Sequence, residues 1–501
     1  MRMRMIRPHS VANTFVLVSV TLLMVGITIW LLSNGFQFEG ATQRWATVVG
    51  ALGSSDVLLE NLNFLQPHLP LYVLIPFYYI PSLDTGAAPY LVSVLSAAIL
   101  LFMWDRDLRE VEISTFRHAL LAILIVIHPA FLWAATSGGY LVLSMITFYM
   151  LYRSAQHIIT EHDIHSYISL AVVFLFFFFI DGSAIFIFVA LLPLLVVIAP
   201  LRTIMVSPAS LYLIVGTPFA FAVATWGYMN WIFEGDFLYF ITNADSAFMG
   251  GMLHIQEYPW LQQYGGQFFM PMIAATGYML IAYPVSIYLL LDTMNNSYRF
   301  RASFVLLLHP LIVIGIATSQ YYLKHPFEIL GLISAGVMAE LTFIKMQTKR
   351  EFVLLVVFLI VSSAGGWWLF AQSGNPQMQQ WMQALQGDLH LNAEEDADLA
   401  VGLWLKHNRQ PTMLYDRDAF RVIAARGDAK DLQLSFSRDF KMHVRERIPN
   451  VAQIAVPDPG TIRGRRDRLN IRYPHLYEHG MKGFRLVYDH LGWRVYRQNH
   501  V

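Results

Sequence analysis

Gly35-Phe36-Gln37-Phe38-Glu39 opens a segment, residues 35–83, that continues to Gln66-Pro67-His68-Leu69-Pro70-Leu71-Tyr72 and follows the first long apolar run. Its first half, 42–64, is amphipathic, which is typical of a helix at a membrane surface. Its second half, 66–83, is apolar but contains four prolines. Because prolines remove backbone hydrogen bonds that a lipid-exposed span requires, we predict that 35–86 forms a first extracytoplasmic loop with interfacial helices.

The composition predicts a polytopic membrane protein. Of 501 residues, 56% are hydrophobic and 14% are charged, whereas soluble domains are nearer a quarter charged. The formal net charge is zero, so the overall charge indicates no particular partner. The chain contains no cysteine, which excludes disulfides, Cys-ligated zinc, iron–sulfur clusters and thiol catalysis.

Eleven apolar runs are predicted to span the membrane, and the first is long enough to be a retained helix rather than a cleaved signal. They are 13–32, 87–104, 118–136, 139–153, 166–180, 183–201, 209–233, 268–291, 302–318, 326–344 and 352–371. With the N-terminus inside, the cytoplasmic segments contain thirteen Lys and Arg, whereas the opposite loops before residue 372 contain only Arg44 and Lys324. This asymmetry follows the positive-inside rule and predicts an extracytoplasmic C-terminal region.

The run 166–201 is interpreted as a hairpin of two spans rather than one long helix. It is longer than a bilayer needs, and Asp181-Gly182-Ser183 lies in its middle. An aspartate in mid-bilayer is costly, and Gly-Ser favours a turn. The hairpin places Asp181 at the outer surface and keeps Arg202 inside.

The composition changes at residue 372, and more than half of all Lys and Arg lie beyond it. Alternating patterns predict a helix over Ala393–His407, a strand over 412–415, a helix over 417–427, strands over 432–436 and 451–456, and a hairpin formed by 484–488 and 493–496. We therefore predict two domains: a transmembrane domain, 1–371, and a small extracytoplasmic α/β domain, 372–501.

Carboxylates in the first outer loop are candidates for acid–base chemistry. Glu39 lies at the outer end of the first span, where a carboxylate could take a proton from an acceptor hydroxyl; the alternative is an ordinary interfacial acid. Asp56 and Glu60 are four residues apart and would share a helix face. They could hold a metal, but such a pair is more often the solvated side of an amphipathic helix.

Two later outer loops carry further candidates. Lys324 and His325 follow Tyr321 and Tyr322, and a cation here could hold a lipid-linked phosphate; the alternative is an interfacial anchor of Tyr and Lys. Glu234 and Asp236 begin an acidic loop, 234–267, whose aromatic residues could stack on sugar rings. That loop could equally be a solvated one rich in interfacial aromatics.

Two motifs in the C-terminal region have more ordinary explanations. His475, Glu478 and His479 match a zinc-peptidase pattern, but Pro474 and Gly480 leave room for barely one helical turn. The arginines of 463–468 could bind lipid phosphates or an anionic glycan, although such a run is usually a solvated loop. The sequence has no nucleotide-binding loop of the Walker or dinucleotide type and no nucleophile elbow.

The order of these features resembles the GT-C superfamily of integral-membrane glycosyltransferases, in particular the branch of protein mannosyltransferases and lipid A aminoarabinose transferases. The resemblance covers about residues 10–370 and rests on Glu39, the segment 67–72, the basic stretch at Arg106 and Arg109, the loop 231–240 and the stretch 321–326. The family's first loop usually contains Asp-Glu, whereas this chain has Phe38-Glu39-Gly40.

The resemblance implies a GT-C-like protein of about eleven transmembrane helices with an extracytoplasmic α/β domain, in a bacterial inner membrane. It implies transfer of a sugar from a polyprenyl-phosphate donor, with Glu39 as catalytic base or orienting carboxylate and Lys324 and His325 on the phosphate. The other residues assigned to substrate binding are Tyr322, His68, Asp56, Glu234 and Asp236. No residue is assigned to a metal, and neither a cofactor nor a divalent-metal requirement follows from the sequence.

Two function classes remain, and the first is favoured. The first is a glycosyltransferase acting at the periplasmic face on a glycan, lipid or protein acceptor, with a lipid-linked donor and membrane lipids as partners and no nucleic acid. The second is an inactive GT-C-like component of an envelope polysaccharide assembly or export complex, which would bind other envelope assembly proteins. A secondary transporter is the weakest class, because Asp181 and Glu340, the acidic candidates for ion coupling, both lie near span ends.

Overall fold

The structure is a computed structural model. It describes residues 9–53, 62–65, 68–80, 86–109, 114–161, 164–200, 207–243, 245–246, 248–249, 255, 259–294, 296–322, 326–343, 348–415, 419–446 and 448–499.

Helices dominate the fold, and five short strands lie near the C-terminus. The helices up to residue 386 are α1 (His9–Ser33), α2 (Glu39–Leu52), α3 (Leu69–Tyr78), α4 (Ala88–Leu108), α5 (Thr115–Val126), α6 (Pro129–Thr136), α7 (Leu141–Glu161), α8 (Ile164–Ile180), α9 (Ala184–Leu191), α10 (Leu195–Ile198), α11 (Pro208–Glu234), α12 (Tyr239–Thr242), α13 (Pro259–Tyr264), α14 (Phe269–Ala282), α15 (Val285–Thr293), α16 (Ser297–Ser319), α17 (Pro326–Leu341), α18 (Lys349–Ala371) and α19 (Pro376–Gln386). The later elements are α20 (Ala393–His407), β1 (Thr412–Met413), α21 (Phe420–Arg426), β2 (Leu432–Gln433), α22 (Arg438–Arg445), β3 (Gln453–Pro457), α23 (Ile462–Arg466), α24 (Arg468–Arg472), α25 (Leu476–His479), β4 (Phe484–His490) and β5 (Trp493–Gln498).

Each predicted span coincides with one helix or a pair of helices. Among the described residues, five helices are long and apolar enough to cross a membrane: α1, α4, α11, α16 and α18. Two pairs pass the same test together but bend at a break, α5–α6 by 73° and α14–α15 by 93°. The predicted spans 118–136 and 268–291 therefore correspond to bent helix pairs, and the crossing of a membrane by α7, α8, α9–α10 and α17 stays a prediction.

The described chain forms two compact units. The first unit contains residues up to Leu31, Leu65–Pro70 and Ser93–Leu385, and the second contains Leu32–Phe64, Leu71–Val92 and Gln386–Val501. Most of the first loop thus packs within the same unit as the C-terminal α/β region. The predicted boundaries, 1–371 and 372–501, stay predictions, because a compact unit does not identify a membrane or a compartment.

Helix α7 packs closely against α8 and α17 in the first unit. Small residues permit the close approach of α7 and α17. A Cβ added at Gly331 would lie 2.9 Å from the side chain of Leu141, and one added at Gly336 would lie 2.9 Å from the ring of Tyr152. Glycine at such positions lets two helix backbones pack closely in a membrane.

The breaks of the two bent pairs meet inside the first unit. His128 lies at the break between α5 and α6, and its Nε2 is 2.9 Å from the carbonyl oxygen of Ala282. Its Nδ1 is 3.1 Å from the hydroxyl of Tyr283, which lies at the break between α14 and α15. Helix α18 supplies one further donor and one acceptor: Trp367 Nε1 donates to the carbonyl of Ile127 at 3.1 Å, and Ser362 Oγ accepts from the backbone N–H of Val285 at 3.3 Å. Backbone groups that leave the helix ladder therefore find protein partners, as apolar surroundings require.

A polar network joins one set of helix ends in the same unit. Asp105 of α4 is fully buried, and it contacts His118 of α5 at 2.8 Å and Arg109 Nε at 2.9 Å. Asp107 accepts from the hydroxyl of Tyr149 at 2.9 Å and pairs with Arg153 at 3.1 Å, both on α7.

The network continues to α16 and α17. Arg153 donates to the hydroxyl of Thr342 at 3.1 Å. Glu340, which is buried, accepts from Gln156 at 3.3 Å and from Ser303 at 2.9 Å. Buried charges that are paired in this way avoid the high cost of isolated ones, so these contacts tie α4, α5, α7, α16 and α17 together at the end that is predicted to be cytoplasmic.

The second unit is built on a five-stranded sheet of order β2-β1-β3-β5-β4. Strands β1 and β2 and strands β1 and β3 pair in parallel, whereas β3 with β5 and β4 with β5 are antiparallel. One hydrophobic cluster contains residues of α2, α3, α20 and α21 together with Leu414, Ala455 and Val495. A second cluster contains Phe440, Leu469 and Ile454. The predicted α/β region and its β4–β5 hairpin are confirmed.

Candidate functional site

Glu39 is the first residue of α2, and its neighbours hold the start of this helix firmly. The backbone N–H of Phe38 donates to the hydroxyl of Tyr90 at 2.9 Å. One turn into α2, the amide of Gln43 donates to Glu39 Oε1 at 3.0 Å. The positive end of a helix dipole favours a carboxylate in the first turn. The half-buried carboxyl of Glu39 is therefore positioned both by the hydrogen bond from Gln43 and by its place at the start of the helix.

A buried arginine from the C-terminal region interacts electrostatically with Tyr90, the residue that holds the start of α2. Arg421 of α21 is 3% exposed and pairs with Glu395 of α20 at 3.4 Å. Its charge, like that of Arg44, acts on the hydroxyl of Tyr90. Sequence reasoning missed Tyr90 and Arg421, because neither belongs to a motif and their proximity depends on the packing of distant segments.

A second ion-pair cluster lies nearby on α20. Asp398 is buried and accepts from Trp493 Nε1 at 2.9 Å as well as from Arg463. Arg463 also pairs with Glu394 at 3.4 Å, and its guanidinium lies 5.6 Å from the ring centre of Trp493. The interpretation of 463–468 as a solvated loop is wrong for Arg463, which connects α23 to α20 and β5.

In the first unit, Tyr322 and Asp181 come together from segments far apart in the chain. The hydroxyl of Tyr322 makes a long hydrogen bond of 3.5 Å to Asp181 Oδ1, which also accepts from the N–H of Ser183 at 2.9 Å. The turn between α8 and α9 is confirmed, and Asp181 is only 4% exposed; its position at the outer membrane surface stays a prediction. Burial raises the pKa of Tyr322 well above its usual value, and the Asp181 carboxylate acts in the same direction. The phenol therefore stays neutral and can donate.

Aromatic rings surround this pair. The ring of Tyr322 lies 5.0 Å from that of Phe186 and 5.2 Å from that of Phe248, and Phe240 lies 6.4 Å from Phe248. Aromatic residues of the predicted acidic-aromatic loop, 234–267, therefore contact Tyr322 within the first unit. Such contact is required if the loop and the Tyr322 stretch bind the same substrate.

Tyr321 has a left-handed backbone, with φ of 56°, and its ring covers two glycines of the loop 234–267. A Cβ added at Gly266 would lie 2.6 Å from the Tyr321 hydroxyl oxygen, and one added at Gly265 would lie 2.7 Å from its ring. Only glycine leaves room for this contact. The backbone N–H of Gly266 donates to the carbonyl of Thr318 at 3.1 Å, which joins the loop to the end of α16.

The remaining predicted site residues have separate positions. Asp236 is exposed and accepts from the N–H of Leu238 at 2.9 Å and from Thr242 Oγ1 at 2.7 Å. The hydrogen bond from Thr242 lowers the pKa of Asp236, so this carboxylate stabilises its own turn. Glu234 is half-buried at the last position of α11. His68 is buried, and its ring lies 4.6 Å from that of Trp226. This contact is typical of a side chain that packs in the interior.

Asp56, Lys324 and His325 lie outside the described residues. The part of the chain that the structure describes has no group of three or more His, Asp or Glu arranged to hold a metal ion. His475 directly precedes a helix of only four residues and His479 is its last residue, which agrees with the short turn expected from Pro474 and Gly480.

No protein-family model matches this chain, and no curated protein matches it either. Among solved structures, the chain is similar to ArnT from Cupriavidus metallidurans, which was crystallised bound to undecaprenyl phosphate. The two share 12% sequence identity, the TM-score is 0.59, and the alignment covers 96% of this chain and 97% of that one. This protein therefore has the fold of that ArnT structure.

Proposed function

We propose that the protein is a membrane glycosyltransferase that takes a sugar from a polyprenyl-phosphate carrier and transfers it to a hydroxyl of a glycan, lipid or protein. The observation that carries the proposal is likeness over nearly the full length to a structure that holds undecaprenyl phosphate. The carboxylate of Glu39, at the start of α2, supports it with a group suited to the chemistry.

In the proposed reaction the acceptor oxygen attacks the anomeric carbon of the donor. The bond between that carbon and the phosphate oxygen breaks, and the polyprenyl phosphate leaves with the bonding electrons. The acceptor proton passes to the carboxylate of Glu39. General-base catalysis of this kind contributes about 10²–10⁴ in rate.

Other residues have supporting roles in the proposal. Lys324 and His325 neutralise the phosphate of the leaving group, for which a cation is suited. The hydroxyl of Tyr322 donates to Asp181, and the aromatic rings around Tyr322 offer apolar faces to the sugar or the carrier. Asp56, His68, Glu234 and Asp236 stay proposed substrate-binding residues, although the local hydrogen bonds of Asp236 and the packing of His68 favour structural roles. Action at the periplasmic face of a bacterial inner membrane, with the N-terminus cytoplasmic, is part of the proposal.

The test is a transfer and hydrolysis assay on the purified protein with a panel of radiolabelled polyprenyl-phosphate sugars. Glu39→Gln keeps the shape and the hydrogen bond from Gln43 but cannot take a proton. We expect turnover to fall at least about 100-fold with little change in thermal stability. Glu394→Gln, an exposed change on α20, serves as a matched control and should retain activity. Full activity of Glu39→Gln would remove this residue from the mechanism.

An inactive envelope-assembly component is the second candidate. The observation that favours it is the single carboxylate, Glu39, where the resembled family has an acidic pair. This candidate predicts saturable binding of one donor without turnover, and a Glu39→Gln change without phenotype. It also predicts that deletion of 372–501 abolishes the function of the protein in envelope assembly, because partner binding is lost.

A further inference from the structure

Three aliphatic side chains stand out on the surface of the second unit. Met442, Ile448 and Ile471 are 50%, 48% and 64% exposed. Single exposed apolar residues are ordinary; these three come from two chain segments that hydrogen bonds bring side by side. The Arg472 guanidinium, next to Ile471, donates to the carbonyl of Val444 at 2.6 Å and to that of Arg445 at 3.2 Å.

Hydrogen bonds fix the backbone that carries these exposed side chains. The hydroxyl of Tyr473 donates to the carbonyl oxygens of His443 and Glu446, at 2.9 and 3.1 Å. Together with Arg472 it binds the backbone at the end of α22, where cations suit the helix dipole. The backbone that carries the exposed apolar side chains is therefore fixed by hydrogen bonds.

The charge of this surface is predominantly positive. Arg445 and Arg472 are exposed there, and the exposed Glu446 lies 3.5 Å from His443 Nδ1. The same pattern continues on α23, where Ile462 is 58% exposed beside the exposed Arg465. The side-chain amide of Asn470 donates to the carbonyl of Gly464 at 3.0 Å and so joins α23 to α24. We name the residues Met442, Arg445, Ile448, Ile462, Arg465, Ile471 and Arg472 the Ile471 patch.

We propose that the Ile471 patch docks on the anionic headgroups of a phosphate-bearing lipid surface. Guanidinium groups bind phosphate oxygens through paired hydrogen bonds, and aliphatic side chains between them can enter the boundary between headgroups and acyl chains. The basic groups of the patch would contact the headgroup layer, and the aliphatic groups would contact the outer part of the acyl-chain layer. This inference concerns the second unit and does not depend on whether the protein transfers a sugar.

The absence of cysteine from the chain makes a site-specific test direct. Ile471→Cys in the full chain would carry the sole thiol, to which a fluorophore is attached. The labelled protein is reconstituted in nanodiscs of zwitterionic lipid alone or with added anionic phospholipid, together with a lipid whose headgroup carries a quencher. We expect strong quenching in the anionic discs and little in the zwitterionic ones.

Arginine variants test the charge contribution. Arg445→Gln and Arg465→Gln should each weaken the lipid-bound state about fivefold, whereas Arg485→Gln, an exposed change on β4, should have no effect. A label at Leu491→Cys, which is 53% exposed at the β4–β5 turn, reports quenching that is not specific to the patch. Equal quenching in both lipids, or quenching unaffected by the two patch variants, would overturn the proposal. Loss of quenching on addition of inorganic phosphate would also overturn it, because the patch would then be a site for a soluble anion.

Discussion

The imidazole of His128 lies 2.9 Å from the carbonyl oxygen of Ala282, although the two residues are 154 positions apart. This one side chain joins the breaks of two bent helix pairs. Both breaks are next to prolines, Pro129 and Pro284, whose missing N–H groups interrupt the helix ladder. The contact explains how two interrupted helices are tolerated in an apolar interior.

Replacement of His128 by leucine should destabilise the protein. The carbonyl of Ala282 and the hydroxyl of Tyr283 would each lose a buried partner, and a buried unsatisfied polar group costs about 1–3 kcal/mol. Thermal unfolding in detergent should show a clear drop in Tm. His165→Leu, at an exposed position of α8, should change Tm much less. A His128→Leu protein as stable as the wild type would mean that the breaks are held by other contacts.

Glycines of α18 and α14 should respond in opposite directions to alanine. A Cβ added at Gly365 would lie 2.0 Å from the carbonyl oxygen of Ile281, which is a backbone atom and cannot move aside cheaply, whereas nothing lies within 4 Å of a Cβ added at Gly277. Gly365→Ala should therefore lower Tm, and Gly277→Ala should preserve or raise it, since alanine is about 1 kcal/mol better than glycine within a helix. Parallel melting curves compare the two, and similar shifts in both would contradict the close packing of α18 on α14.

Tyr90→Phe should reduce activity without preventing folding. The phenylalanine keeps the buried ring but removes the oxygen that accepts the N–H of Phe38, so the start of α2 and the carboxylate of Glu39 lose one constraint on their position. Small displacements of a catalytic group can cost about 100-fold in rate. We expect a loss of turnover smaller than that caused by Glu39→Gln, with donor binding retained. Tyr488→Phe on β4 is a matched control. If Tyr90→Phe leaves turnover unchanged, Tyr90 is not needed to position Glu39.

Asp398 should make stability depend on pH. Burial raises the pKa of Asp398 to about 6, against the lowering effects of Arg463 and Trp493, whereas an unfolded aspartate titrates at about 4. Between these values the folded state keeps a proton that the unfolded state has released. The free energy of unfolding therefore falls as pH rises from about 4 to about 6, by at most about 3 kcal/mol from this group.

The measurement for Asp398 is Tm over pH 4–7 for the wild type and for Asp398→Asn. Other carboxylates titrate in the same range, so the difference between the two proteins isolates Asp398. The wild type should lose stability relative to Asp398→Asn as pH rises through this window. A constant difference between the two curves, or one that grows in the opposite direction, would show that Arg463 keeps Asp398 charged throughout.

Local signals in the sequence predicted individual elements well. Helix α20 begins and ends at the predicted residues, because Asn392 and Glu395 form a capping box and the apolar spacing is regular. The hairpin of β4 and β5 follows from its alternating pattern and Gly492. In the α/β region, edges were less accurate: the predicted strand 432–436 is only Leu432–Gln433.

Long-range features could not be predicted in the same way. The bends at His128 and Tyr283 depend on contacts between segments that have no shared motif. The turn at Asp181 is recognisable in the sequence, whereas the burial of Asp181 and its contact with Tyr322 are not. Likewise Glu39 was identified from its position after the first span, whereas Tyr90 and Arg421 became evident only from the packing of the second unit.

The polar network around Asp105, Asp107 and Glu340 has a mechanical consequence. It ties five helices at one end through a few shared side chains. Loss of any one of these three carboxylates should therefore weaken contacts of several helices at once, so that this end of the bundle responds to damage cooperatively rather than helix by helix.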